Sequence, residues 1–232
     1  ILSSTQAIEE HASAIAKKIH IKEDITVIND CGNGAGSVIT PHLLTRMGAK
    51  TIAVNANISG HFARPSEPLP EHLLYIPPLI KKSEATCAVV HDGDADRMMA
   101  FDKNGTYISG DTLLILFAKY LDAKQVVTTY DTSMAIEEVA EVRRTPVGDA
   151  YVSELLVRWG DFGGEPSGAW IFPDISHCPD GPFAAALFCE MAGEWDLSSE
   201  IASIPSYPLL RRSIPIDNAH DLLYTLGAVN PT

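Results

Sequence analysis

Three aspartates at alternate positions, Asp92, Asp94 and Asp96, stand in the run His91-Asp92-Gly93-Asp94-Ala95-Asp96-Arg97. An extended segment would put all three side chains on one face, and Gly93 lets a tight turn gather them instead. Carboxylates held this close repel one another unless a cation neutralises them, and hard oxygen donors suit Mg²⁺ or Ca²⁺. Arg97 adds a planar guanidinium able to grip a phosphate that bridges to such a cation. Metal and arginine together predict a phosphoester ligand. The turn is not an EF-hand, because Arg97 and Lys103 occupy the positions that motif gives to Gly and Glu. It is not the phosphatase opening Asp-x-Asp-x-Thr/Val either, since Asp96 fills the fifth place. A solvated acidic turn between strands is the plain alternative, and Arg97 argues against it.

Other stretches hold functional residue types. Asp30-Cys31-Gly32-Asn33-Gly34-Ala35-Gly36 lies between a strand and a helix, where backbone N–H groups could cradle a phosphate. Ser37 stands where a dinucleotide fingerprint needs Gly, and no Gly-Lys-Ser/Thr ending follows, so a close-packing turn is the preferred reading. In Gly163-Gly164-Glu165-Pro166-Ser167-Gly168 a carboxylate and a hydroxyl two residues apart could each bind sugar hydroxyls. Thr145-Pro146-Val147-Gly148-Asp149 ends a strand and starts a helix, so Asp149 reads as an N-cap, with a ligand or proton-handling role as the second option. Ser176-His177 lacks the context of a nucleophile pair, and His61, Asp174 and Asp180 read as surface or cap residues.

The positioning elements alternate. Ser3 and Gln6 form a capping-box pattern ahead of a helix bearing Ile8, Ala12, Ile15 and Ile19 on one face. A strand over 25–28, a helix capped by Ser37 and ending at Gly48, and a strand over 52–54 make a β-α-β unit. Residues 58–78 read as loop because five prolines interrupt them. Strands over 88–90 and 98–101 flank the acidic turn as a hairpin. Past a turn at 102–105 come helix 111–121, strand 125–129, helix 133–139, strand 141–145, helix 149–158, an apolar run at 169–172 and helix 181–191. The fold class expected is α/β, with two consecutive domains whose mixed or mostly parallel sheets are covered by helices. Their spans are 1–104, 105–212 and a tail or truncated element at 213–232.

With 232 residues, 46% of them hydrophobic, the chain can bury a real core. Its net charge is −13, and residues 105–232 carry 7 Lys/Arg against 18 Asp/Glu, which argues against nucleic acid or anionic membrane as partner. Cys31, Cys87, Cys178 and Cys189 show no zinc or disulfide spacing. A reducing cytoplasm is therefore expected, and no apolar run is long enough to span a bilayer. The first residue is Ile1, so processing or truncation is expected to have removed what preceded it.

Taken together, the runs at 30–36, 92–97, 145–148 and 164–168 resemble the α-D-phosphohexomutase superfamily of phosphomannomutases, phosphoglucomutases and phosphoglucosamine mutases, in an archaeal-like form. The resemblance implies four domains around a cleft, of which this chain is similar to the second and third. It implies Mg²⁺ on Asp92, Asp94 and Asp96, Arg97 near an enzyme-bound phosphate, and Glu165 with Ser167 on sugar hydroxyls. The whole enzyme would move phosphate between O1 and O6 of a mannose, glucose or glucosamine phosphate through a phosphoserine enzyme and a bisphosphorylated sugar. Neither the phosphoserine motif nor the terminal phosphate loop occurs here, so the partners implied are the first and fourth domains, and the chain alone is expected to be inactive. Asp149 and Ala169 stand where many bacterial members have histidines, so roles resting on those histidines do not carry over. The rival readings are a Mg²⁺-dependent phosphatase and a noncatalytic sugar-phosphate binding module.

Overall fold

A computed structural model describes residues 4–22 and 24–211 of the chain. Helix α1 (Ser4–Ala16) buries Ala12 and Ile15 and leads to strand β1 (Thr26–Asp30). A 3-10 turn at Ala35–Val38, helix α2 (Thr40–Arg46) and strand β2 (Lys50–Val54) complete a βαβ unit, with Ile28 opposite Ile52 in parallel register. Helix α3 (Ile76–Ser83) brings the chain back to β3 (Cys87–His91), parallel to β1 on its other side. Strands β4 (Met98–Phe101) and β5 (Tyr107–Ile108) then turn antiparallel, giving the order β2-β1-β3-β4-β5.

The second sheet repeats the scheme. Helix α4 (Gly110–Tyr120), capped by the Ser109 hydroxyl, precedes β6 (Gln125–Thr129), β7 (Glu141–Thr145), α5 (Asp149–Leu156), β8 (Phe162–Gly164) and β9 (Trp170–Ile171). The order is β7-β6-β8-β9, parallel except for the last pair. Helices α6 (Gly181–Glu194) and α7 (Leu197–Ser203) follow. The fold is thus two mixed α/β sheets, five- and four-stranded, with seven α-helices among the described residues; the α/β class with two helix-covered sheets is the one the sequence predicts.

Strand alternation decides which helix covers which face. Ile28, Ala88 and Val90 point toward α3, while Val27, Cys87 and Val89 point into a larger core that α2 and α6 close. That core continues through Phe117, Phe162 and Trp170 under the second sheet, whose opposite face is covered by Val152 and Leu156 of α5. Because α6 lies against β3 and β4, the two sheets share one interior, and their loops are fixed relative to each other.

Several local expectations need correction. Residues 35–38 form a 3-10 turn rather than the start of a helix, and α2 begins at Thr40 without a cap from Ser37, because the glycines before it are pressed against the acidic turn. The segment expected as helix 133–139 is a 3-10 turn at Met134–Glu138. Helix α3 was hidden by Pro77 and Pro78, which sit in its first turn, where no donor is needed. Gly163 and Gly164 belong to β8 instead of a loop. Ser3 of the capping box and the tail from 213 lie outside the described residues. No helix among the described residues is long and apolar enough to cross a membrane.

Candidate metal centre and its facing loop

The hairpin connection from β3 to β4 is Asp92–Arg97. One carboxylate oxygen from each of Asp92, Asp94 and Asp96 lies within 4.8 Å of the others. The loop closes on itself where the Arg97 amide donates to Asp92 Oδ1 at 3.2 Å, and Ala95 turns the chain with φ +63°. Burial, then the neighbouring Asp96, pushes the Asp92 carboxyl up to about 7. Burial and Asp94 raise Asp96 as well, with a smaller contribution from Asp149, which places that residue within electrostatic reach of the turn. Asp96 Oδ1 is buried and has no hydrogen-bond partner. The Arg97 guanidinium stands 3.9 Å from Asp92 Oδ2 and from Asp96 Oδ1, too long for hydrogen bonds, and is partly open to solvent.

The glycine-rich run packs against this turn. The Ala35 amide donates to the Gly93 carbonyl at 2.9 Å, and a Cβ on Gly34 would lie 2.0 Å from the same oxygen. Behind the turn, the buried His91 ring meets the Arg97 carbonyl through Nδ1 at 3.0 Å, and burial pushes the imidazole down to about 4. Helix α6 starts on the same spot, where a Cβ on Gly181 would be 2.4 Å from the Ala95 carbonyl. Below lies a buried network that sequence reasoning missed: Asp30 takes hydrogen bonds from Arg64, Tyr75 and Asn55. The only signal for Arg64 was a lone cation in a proline-rich stretch.

The second loop meets the first directly. Ala169 pairs with Arg97 as an antiparallel bridge, the Met98 amide donates to the Gly168 carbonyl at 2.9 Å, and the Trp170 indole N–H donates to the Met98 carbonyl at 2.7 Å. Glu165 is buried, with Oε1 accepting from the Gly148 amide at 2.6 Å and Oε2 facing the Ser167 hydroxyl at 3.3 Å. One carboxylate therefore joins the 145–149 and 164–168 loops. Asp149 is exposed and is the first residue of α5, whose N-cap is Gly148 without a side-chain bond, so the capping expectation does not hold. Asp180 does cap, accepting from the Phe183 amide at 2.9 Å, whereas His61, Asp174 and His177 are exposed. An open cavity of about 600 Å³ beside the turn is lined by Asp94, Asp96, Val38 and Asp180. Another, of about 440 Å³, touches neither loop.

Residues 6–105 match the family described as phosphoglucomutase/phosphomannomutase, alpha/beta/alpha domain II, and residues 109–207 match domain III of the same family. A probable phosphoglucosamine mutase of Methanosarcina acetivorans is 42% identical over 226 residues, covering 94% of this chain and 52% of the relative. One from Pyrococcus horikoshii is 40% identical over 221 residues, covering 90% and 49%. The chain thus spans about half the length of these curated relatives. The crystal structure of a phosphoglucomutase/phosphomannomutase family protein from Burkholderia thailandensis has a TM-score of 0.79 at 23% identity, covering 87% of this chain and 47% of that one, which establishes likeness of fold.

Proposed function

The chain belongs to the α-D-phosphohexomutase superfamily, of which it carries the second and third domains, and from that premise we propose that it forms the metal and sugar-binding half of a phosphohexomutase. The observation that supports this best is the Arg97–Ala169 bridge, by which the end of the acidic turn and the end of the 164–168 loop adjoin each other. The turn fits a hard divalent cation: three carboxylates converge, and Asp96 Oδ1 is an orphaned buried acceptor. Asp92, Asp94 and Asp96 would hold Mg²⁺, which when bound neutralises charge on a phosphoryl oxygen. Arg97 would bind the phosphate oxygens of a phosphoserine or sugar phosphate. Its ion pairs with Glu67, Asp92 and Asp96 are all 3.9 Å long, beyond hydrogen-bond distance, so a phosphate could compete for its donors.

Glu165 and Ser167 would bind sugar hydroxyls. The Ser167 hydroxyl can rotate from Glu165 to a ligand, and Glu165 is held in place by the Gly148 amide. Asp149, next to the Gly148 that Glu165 binds, would add a further polar contact. The relatives favour glucosamine phosphate as the first hexose phosphate to test. Preorganised charge and position would carry phosphoryl transfer between O1 and O6. The chain alone would bind but not turn over, because the phosphoserine would come from a separate domain.

Calorimetric titration of the chain with glucosamine 6-phosphate in the presence of Mg²⁺, alongside a mutase and phosphate-release assay, tests the reading. Metal-dependent binding without turnover is expected. Phosphate release would favour a phosphatase, and absence of binding to any hexose phosphate would overturn the proposal.

A further inference from the structure

We propose that Arg64 and Ser66 form a positioning clamp for Asp92, holding the backbone on both sides of it so that its carboxylate stays in register with Asp94 and Asp96. The inference rests on the acidic turn being a metal site, and it concerns residues outside that turn.

An arginine has five N–H donors, and a phosphate-binding arginine must keep some of them for its ligand. Arg64 keeps none. Its Nε donates to Asp30 Oδ2 at 3.3 Å and its Nη2 to Asp30 Oδ1 at 3.4 Å. Nη1 donates to the carbonyls of Pro65 at 3.0 Å and Ser66 at 2.9 Å, and Nη2 also reaches the carbonyl of His91. The side chain is only 3% exposed, so its charge is spent inside the protein, on Asp30 and on three carbonyls.

Those carbonyls explain the placement. His91 immediately precedes Asp92, and its carbonyl is held by Arg64. Gly93 immediately follows Asp92, and its amide donates to Ser66 Oγ at 2.9 Å. The Ser66 backbone is in turn fixed by Arg64. Both peptide units flanking Asp92 are therefore anchored to one short stretch of chain, and through Asp30 to the end of β1. A turn carrying three repelling carboxylates would otherwise spread when no cation is present. The clamp supplies the preorganisation that a ligand set needs for affinity.

The test uses the whole chain with Mn²⁺ as the probe, titrated by electron paramagnetic resonance, and amide hydrogen exchange of the metal-free protein. Ser66→Ala removes one exposed hydroxyl and should leave the melting temperature nearly unchanged. It should weaken Mn²⁺ about 5-fold and speed exchange of the Gly93 amide about 10-fold, while Ser66→Thr, which keeps the hydroxyl, restores both. Arg64→Lys keeps the charge opposite Asp30 but loses the fork, and should weaken Mn²⁺ at least as much. A folded Ser66→Ala that binds Mn²⁺ as the wild type does, with unchanged Gly93 exchange, overturns the clamp while leaving the metal reading intact. If the wild type binds no Mn²⁺, the metal reading fails, and the exchange comparison still decides whether the turn is clamped.

Discussion

A Cβ built on Gly34 would sit 2.0 Å from the carbonyl oxygen of Gly93, so the glycine-rich run and the acidic turn occupy space that no other residue would leave open. The contact is backbone against backbone, and it cannot be relieved by rotating a side chain. Gly34→Ala should therefore push the turn away from the end of β1. Overpacking of this kind costs about 1–3 kcal/mol. A lower melting temperature together with weaker Mg²⁺ binding is the expected result; Mg²⁺ affinity equal to that of the wild type would show that the turn does not depend on this contact.

Trp170 ties the two loops through its indole N–H, which donates to the Met98 carbonyl one residue past Arg97. Trp170→Phe keeps most of the ring packing with Phe117 but leaves that carbonyl buried and short of a donor. The loss should be about 1–3 kcal/mol in chemical denaturation. Because Met98 also bonds Gly168 through its amide, the loops should stay joined, and sugar-phosphate binding should fall less than stability does.

The apolar runs that form β1 and β3 and the acidic turn between two such runs could be read from residue order alone, because strand length and local charge are short-range properties. What could not be read was anything set by contacts distant in the chain. Arg64 meets His91 across 27 residues, and Asp30 across 34. Pro77 and Pro78 read as helix breakers, yet they lie in the first turn of a helix whose Ile76 and Ile80 pack on the first sheet. Glu165 showed its chemistry but not its commitment to the Gly148 amide, which depends on how β7 and β8 flank β6.

That commitment gives Glu165 a test of its own. Glu165→Gln can still accept from the Gly148 amide, so the loops should hold and the unfolding free energy should fall by only the ~1 kcal/mol that separates a charged from a neutral acceptor. Glu165→Ala removes the acceptor, leaves the Gly148 amide unpaired and should cost about 1–3 kcal/mol. If the carboxylate also contacts sugar hydroxyls, Glu165→Gln should weaken hexose phosphate binding by far more than it lowers stability. Equal small effects on both would reduce Glu165 to a loop tie.

Proton linkage should make the metal-free chain less stable above pH 6.5, and the sign follows from four groups. His11 Nε2 lies 3.0 Å from Asp180 Oδ2, and that hydrogen bond raises its pKa above 6.5. Its contribution is complete below 6.5 and is lost as pH rises through the folded value. Asp92, pushed from 3.8 up to about 7, holds a proton longer when folded than when unfolded, so it too removes stability as pH rises across that window, and Asp96 acts in the same sense. His91 acts oppositely: pushed from 6.5 down to about 4, it adds stability as pH climbs between those values, offsetting the aspartates there. Above 6.5 that offset is exhausted, and His11 with the end of the Asp92 titration remains. Denaturant unfolding from pH 6.5 to about 8.5 should show the decline, and His11→Gln should remove a part no larger than about 1 kcal/mol, since the imidazole is over a third exposed. Saturating Mg²⁺ should reverse the aspartate part, because a cation favours the ionised carboxylates that burial penalises. A stability that rises with pH above 6.5 in metal-free buffer would contradict the directions assigned to His11 and Asp92.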